Sequence, residues 1–360
     1  MIRYQYKKVG VFKMDQMTAV ERYKAIQAGQ PIDRAPVILY DNLIAAKLVG
    51  MTYQESEASA EALAKKMLAS YQRFGHDAVS LIYSTKNFTR LLGTEVKLAE
   101  NAPASVSRYA LTQVSDMDQL DFQAVNRETD KGRQKVYEAV QMIQEETEGQ
   151  VFCRIHMPAP FTAAAGLLAP EQLLRATRKE KAAVHELLDR VTGLLKEIVA
   201  DFSKLDHIYI SLSDPVASGS LISPRIYREF AKEATKDLVA DIHAHNLHVA
   251  LHICGQTQKI LEDIAEIGVD AFSLDQVVDL QQAKDSVGGR LLLQGNIAPV
   301  DEFWHGSPES ISHAVQAAYE LMGCDPKEFI LAPGCDLPLE TPLENVDAYM
   351  AAARRFSVVN

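Results

Sequence analysis

The feature that most constrains this chain is a repeated alternation of short apolar runs with longer amphipathic stretches. Eight runs stand out: APVILY (35–40), DAVSLI (77–82), VFCRIHM (151–157), HIYISLS (207–213), LHVALHI (247–253), DAFSL (270–274), LLLQG (291–295) and FILAP (329–333). Most are continuous rather than alternating, which suits parallel strands covered on both faces. Stretches of helical period separate most of them. Leu63, Met67 and Tyr71 recur every fourth residue within 54–74, and Ile311, Val315, Tyr319 and Met322 mark one face of 309–322. Further helices are expected over 132–147, 171–204, 225–245, 257–267 and 343–355. Eight such repeats predict an α/β fold, the (β/α)8 TIM barrel. An open doubly wound sheet fits less well, because no G-x-G-x-x-G follows the first run.

The expected organisation is an N-terminal arm and helix over 1–29, then a single (β/α)8 barrel catalytic domain over 30–360. Between the second and third runs, TEVKLAE (94–100) and SVSRYAL (105–111) flank a Pro-containing link and predict a β-hairpin insertion. With 37 Lys+Arg against 48 Asp+Glu the net charge is −11, so the chain lacks the basic footprint of a general nucleic-acid binder. No segment has 18 uninterrupted apolar residues, and the basic start MIRYQYKKVGVFKMDQM lacks the apolar core of a secretory signal. Four cysteines in 360 residues are no disulfide framework, so the expected location is the reducing cytoplasm.

In a barrel, reactive residues belong at the C-terminal ends of strands and in the loops that follow. LHICG places His252-x-Cys254 at the end of the fifth run, and APGCDLP places Cys335 just after the eighth. One imidazole and two thiolates suit zinc, whose charge the thiolates cancel, with a fourth position left for water or substrate. Asp275, ending the sixth run in FSLDQ, is the candidate fourth ligand or the partner that orients His252. Asp214 ends the fourth run in SLSDP and is followed by the Gly/Ser-rich ASGSLISP, in which Ser218 and Gly219 can position a ligand through backbone N–H groups. Ser223 and Pro224 in that loop read as a helix N-cap and first turn. Asp77 lies inside an apolar run, where a carboxylate is costly unless paired; it is either a functional acid of the barrel interior or half of a buried ion pair. Tyr40, Asp41, Tyr83 and Asn296 are further candidates to line the cavity. Cys153 and Cys324 read as packing and turn residues, and His243, His245 and His248 as helix-end and loop residues. No P-loop, G-x-S-x-G or H-E-x-x-H is present, so phosphoryl transfer through a P-loop, α/β-hydrolase chemistry and zincin chemistry have no support.

From about Pro36 onward the chain resembles the uroporphyrinogen decarboxylase superfamily, and within it the methylcobalamin:coenzyme M methyltransferase branch. The likeness is densest in SDPVASGSLISP, HICGQTQKILEDIAEIGVDAFSLDQVVDL, LLLQGNIAPVD and FILAPGCDLPLETPLENVDAYM. It implies a zinc site on His252, Cys254 and Cys335, with Asp275 as the fourth ligand of the resting enzyme. It implies methyl transfer between a corrinoid (cobalamin) and a small substrate, either a thiol acceptor such as coenzyme M or a methyl donor such as a methoxylated aromatic. Asp214, Asp77 and Asn296 are then candidate catalytic residues, and Ser218, Gly219 and Asn296 candidates at the corrinoid. The chain ends soon after the eighth helical stretch, so the corrinoid is expected on a separate carrier protein, with neither nucleic acid nor membrane as a partner. The decarboxylase branch implies an Arg-rich segment after the first run, of the R-Q-A-G-R type. Here that place reads YDNLIAAKLVG, with no Arg to pair with a porphyrinogen's carboxylates. The remaining alternative is a non-catalytic, zinc-containing docking module of a corrinoid assembly.

Overall fold

The computed structural model describes residues 15–357. Among the described residues nine strands are formed: β1 (Ala78–Ile82), β2 (Glu95–Lys97), β3 (Ser105–Arg108), β4 (Phe152–Pro158), β5 (Ile208–Ser213), β6 (Val249–Ile253), β7 (Ala271–Leu274), β8 (Leu292–Ile297) and β9 (Phe329–Pro333). Seven of them form one parallel sheet in the order β1-β4-β5-β6-β7-β8-β9. The first apolar run closes it. Val37 bridges Leu331 in parallel, Ile38 N–H donates to the Leu331 carbonyl at 3.0 Å, and Asp77 N–H donates to the Val37 carbonyl at 2.9 Å. This eighth stave makes no full ladder, because Pro36 brings no N–H to it. The expected arm lies largely in residues 1–14, outside the described residues, and is followed by helix Ala19–Gln27. The expected hairpin is present as the antiparallel pair β2–β3.

The helices follow local chemistry. Ser59 caps helix Ala60–Phe74, and Gly75 ends it in the left-handed conformation at φ 65°. That cap also splits the expected 54–74 stretch, leaving Tyr53–Ser56 as a separate turn on its own Thr52 cap. The 171–204 stretch divides at Glu180 into Pro170–Lys179 and Lys181–Phe202. Ser223 caps the turn that opens with Pro224, as its sequence position implies.

Two-residue periodicity sorts the strand side chains. Outward residues such as Val79, Ile155, Ile210, Leu251, Phe272, Leu293 and Leu331 are fully or almost fully buried beneath the helices. Each contributes about 1.5–3 kcal/mol of apolar burial. The inward rows differ in kind: Ser80, Arg154, His156, Ser211, His252, Ser273 and Gln294 face the barrel axis in register. Barrel interiors are usually filled with branched apolar side chains. A polar interior at the C-terminal half marks where chemistry is placed.

Candidate metal centre and active site

His252 is the last but one residue of β6, Cys254 follows the strand, and Cys335 follows β9. Their ligand atoms all lie within 4.8 Å of one another, although Cys254 and Cys335 are far apart in sequence. The His252 Nε2 is 3.1 Å from the Cys254 Sγ. A tetrahedral ion with bonds of about 2.0–2.3 Å holds its ligand atoms about 3.3–3.8 Å apart, so this set fits zinc with only small closure. The His252 Nδ1 lies 3.1 Å from the Ser273 hydroxyl and 3.2 Å from the Ser273 carbonyl. Donation from Nδ1–H to that carbonyl leaves the Nε2 lone pair facing the thiols. Donation from Cys335 to Cys254 pushes the Cys254 thiol down, and the same bond, with burial, pushes Cys335 up.

The loop after β6 is built for this position. Gly255 has φ 78°, and a β-carbon there would meet the Ser218 and Ser220 hydroxyls at 2.8 and 2.9 Å. Its N–H donates to the Asp275 carboxylate at 2.7 Å. The other Asp275 oxygen accepts the Val277 N–H at 3.0 Å. Asp275 therefore stands beside Cys254 but outside the three-residue cluster, with both oxygens engaged by backbone. The partner of His252 is Ser273, not Asp275. Asn296 donates through Nδ2 to the carbonyls of Asp275 at 3.0 Å and Val278 at 2.8 Å, and so fixes the β7 loop against β8.

Other expected site residues are placed differently. Asp77 sits just before β1, at the opposite, N-terminal pole. It pairs with Arg22, with Arg34 at 2.7 Å and with the Val37 N–H at 2.7 Å, and the two guanidinium groups hold its carboxyl below the usual range against the burial that raises it. It is the buried ion pair of the two expectations, and it does not reach the mouth. Asp214 is 1% exposed, and one of its oxygens accepts both the Thr162 N–H at 3.0 Å and the Thr162 hydroxyl at 2.7 Å. Burial raises its carboxyl to about 7. It ties the β4 loop to the end of β5 and is shut away from the cavity. The Gly219 N–H donates to the Gln256 carbonyl at 2.9 Å, and the Ser218 Oγ accepts the Ser220 N–H at 3.2 Å. That loop thus buttresses the Cys254 turn instead of offering free N–H groups. Tyr83 is fully buried and donates to Asp130 at 2.7 Å, and Asp41 is fully buried against Ser70. Cys153 is fully buried, and Cys324 donates to the Phe356 carbonyl at 3.3 Å, as packing and turn residues would. His243 lies in the last turn of helix Glu233–Ala244, with His245 at its C-cap.

Tyr40 does face the interior. Its hydroxyl is 3.1 Å from the Ser273 hydroxyl and accepts from the Gln294 amide. Arg154 and His156 were not singled out from the sequence, yet both face the same space. The Arg154 guanidinium lies 4.4 Å over the Tyr40 ring, and its N–H groups reach the Ser80 hydroxyl at 3.1 Å and the His156 Nδ1 at 3.0 Å. Burial, then the charges of Arg154 and His252, drive the His156 pKa well down and keep the ring neutral. Their signal was in the sequence: in CRIHM the charged and polar residues fall two apart within a strand, on one face.

Comparison with known proteins agrees with the geometry. The uroporphyrinogen decarboxylase (URO-D) family profile matches residues 18–356. A methylcobamide:CoM methyltransferase, MtaA, of Methanosarcina barkeri is 28% identical over 344 residues, covering 94% of this chain and 98% of that protein. A methylated-thiol–coenzyme M methyltransferase of Methanosarcina mazei is 26% identical over 349 residues, covering 95% and 90%. The solved structure of a methyltransferase from Methanosarcina mazei superposes with a TM-score of 0.84 at 27% identity, covering 95% of this chain and 99% of the other. The chain belongs to the uroporphyrinogen decarboxylase family, in which it stands with the methyltransferase enzymes.

Proposed function

We propose that this protein is a zinc-dependent methyltransferase that moves a methyl group from a corrinoid, carried by a separate protein, to a small thiol. The observation that carries this reading is the convergence of His252, Cys254 and Cys335 at the open end of the barrel. Those three residues would hold the metal, and zinc bound there supplies Lewis acidity that makes a thiolate at neutral pH and fixes it for in-line attack. Everything else is the work of the chain. Ser273 holds the imidazole so that Nε2 faces the two thiols and would be free to bind the metal. Asp275 and Asn296, through backbone contacts, hold the β6 and β7 loops in place. Cys254 and Cys335 would hold the metal as thiolates, each giving up its own thiol proton. Three protein ligands would leave a fourth position for substrate, as catalytic rather than structural zinc sites do.

The relatives named for coenzyme M methylation favour the thiol as acceptor. Residues 30–360 act as one catalytic barrel in this reading, and its place is the cytoplasm. No described helix is long and apolar enough to cross a membrane. The test is to mix the zinc-loaded enzyme with a methylated corrinoid carrier and candidate thiols and follow the Co(III)-to-Co(I) spectrum. Thiol-dependent appearance of Co(I), lost in His252→Ala, supports the reading. Co(I) consumption with methoxylated aromatics instead reverses the direction. Absence of transfer both ways, with zinc verified, removes the function.

A further inference from the structure

Among the described residues the exposed large apolar side chains are Leu98, Leu221, Val277, Val300 and Trp304. Leu221 follows β5, Val277 follows β7 and Val300 follows β8, so these three stand in segments that leave the C-terminal ends of strands. Leu221 and Val277, 56% and 50% exposed, flank the segment that carries Cys254. On one side the Gln256 N–H donates to the hydroxyl of Ser220, the neighbour of Leu221, at 3.4 Å. On the other the Gln258 amide donates to the Val277 carbonyl at 3.2 Å. Exposed apolar side chains gathered in one place mark a surface that another molecule covers. Charge is sorted at the same place. Helix Pro170–Lys179 lies beside Leu221, and the groove between them, of about 380 Å³, is lined by Leu174, Leu221 and Ile226 and by Arg175, Arg178 and Lys179, with Glu171 at its edge. The three cations are exposed, and among the described residues no acid lies within 4 Å of them. On the next helix, Lys181–Phe202, the cations are paired: Lys181 with Glu229, Arg190 with Asp118 and Glu186, and Lys196 with Asp237. A helix C-terminus favours cations, which accounts for Arg178 and Lys179. It does not account for Arg175, or for the exposed Leu221 across the groove. In a chain of net charge −11, three open cations around an apolar groove are a local reversal of sign.

We infer that the groove between helix Pro170–Lys179 and Leu221, continued over the Cys254 segment to Val277, docks an acidic face of the corrinoid carrier protein. The inference rests on the proposed function and names how its partner is held. Carboxylates of the carrier pair with Arg175, Arg178 and Lys179, and an apolar side chain of the carrier enters between Leu174 and Leu221. The carrier is thereby seated at the mouth where His252, Cys254 and Cys335 converge. Arginine set among apolar side chains is the composition of the energetic centre of protein interfaces. Opposite charge adds speed of encounter, which suits a carrier that arrives, reacts and leaves on every turnover.

The test compares two methyl donors, a methylated corrinoid carrier and free methylcobalamin, with zinc-loaded enzyme and thiol. With the carrier, kcat/KM is expected to fall about tenfold between about 20 and 200 mM salt. Arg175→Glu/Arg178→Glu raises the KM for the carrier about tenfold or more at unchanged kcat. Leu221→Ser gives a smaller rise and keeps the salt dependence. With free methylcobalamin these variants match the wild type, which also shows that they fold. Lys327→Glu, an exposed cation just before β9 at the opposite pole, changes neither reaction. A carrier reaction that ignores salt and both groove variants overturns the inference. So does an equal loss with both donors, which would mean that the cations hold the corrinoid itself. Leu221→Ser and the wild-type salt dependence decide if the double variant does not fold. If neither donor yields Co(I), the proposed function fails separately, and the anisotropy of a labelled carrier titrated with enzyme in the absence of thiol decides the inference. Saturable binding that is lost in Arg175→Glu/Arg178→Glu supports it, and binding that is absent or unchanged in that variant refutes it.

Discussion

At the N-terminal pole of the barrel, Asp77 is enclosed by Arg22 and Arg34, and these in turn by Asp33 and Asp15. In the barrel interior, Arg154 has no acid at ion-pair distance among the described residues, and toward the C-terminal pole the His252, Cys254 and Cys335 side chains converge. The two poles use the same kinds of side chain and leave them in opposite states. Where every charge is matched, the residues fix helix Ala19–Gln27 and the first stave to the barrel floor. Where charges and lone pairs are left open, the fold gives up stability and gains a place to bind something. Completeness of pairing, more than residue type, separates the structural acid from the reactive site.

The contrast breaks most visibly if Asp77 is changed. Asp77→Asn leaves two buried guanidinium groups short of a partner, and a loss of about 3–5 kcal/mol in urea unfolding is expected, with zinc binding per folded molecule unchanged. A loss below about 1 kcal/mol would mean the floor is not held by this network. The mirror experiment is Cys335→Ser. Zinc affinity is expected to fall by about a hundredfold or more, because a hydroxyl replaces a thiolate, while the unfolding midpoint of the metal-free protein barely moves. Metal analysis after dialysis reads the first, and a large drop in midpoint would place Cys335 among structural residues.

Ser273→Ala sharpens the comparison inside the active pole. It removes the hydroxyl beside His252 but keeps the carbonyl, and about a tenfold weakening of zinc is expected from competition with a chelator. The smallest effect concerns pH. Asp214 has its pKa raised to about 7 in the fold from 3.8, so the folded state holds an extra proton between those values. Stability from this residue is therefore present below about pH 4 and declines as pH rises toward 7. Asp214→Asn removes the ionisation, and its stability relative to wild type is expected to rise from pH 5 to pH 8, read as the difference between unfolding midpoints. A flat difference would mean that Asp214 is not held protonated by burial. Asp33 has the opposite sign: depressed to about 2 by Arg22, it supports the floor above about pH 4 and loses that effect as pH falls toward 2.

Much of this was legible in the sequence, and the parts that were not share a cause. The eight apolar runs became seven strands and a closing stave, and the rule that chemistry sits after strand ends located His252, Cys254 and Cys335. Asp77 was readable only as an alternative, because its partners Arg22 and Arg34 come from segments with no pattern linking them to it. Asp275 and Gly219 were misplaced because their partners are backbone groups of neighbouring loops, which carry no side-chain signature. Arg154 and His156 were hidden differently: inside a run that reads as apolar, they occupy two successive positions of the inward face, between Phe152 and Pro158.

The most direct test of the central claim is zinc X-ray absorption on the intact, zinc-loaded enzyme, before and after addition of 2-mercaptoethanesulfonate or 2-mercaptoethanol. The account expects two sulfurs and one imidazole nitrogen with a light fourth ligand at rest, replaced by a third sulfur when thiol is present. A closed four-ligand shell that stays the same with every thiol and methyl donor tried would contradict it.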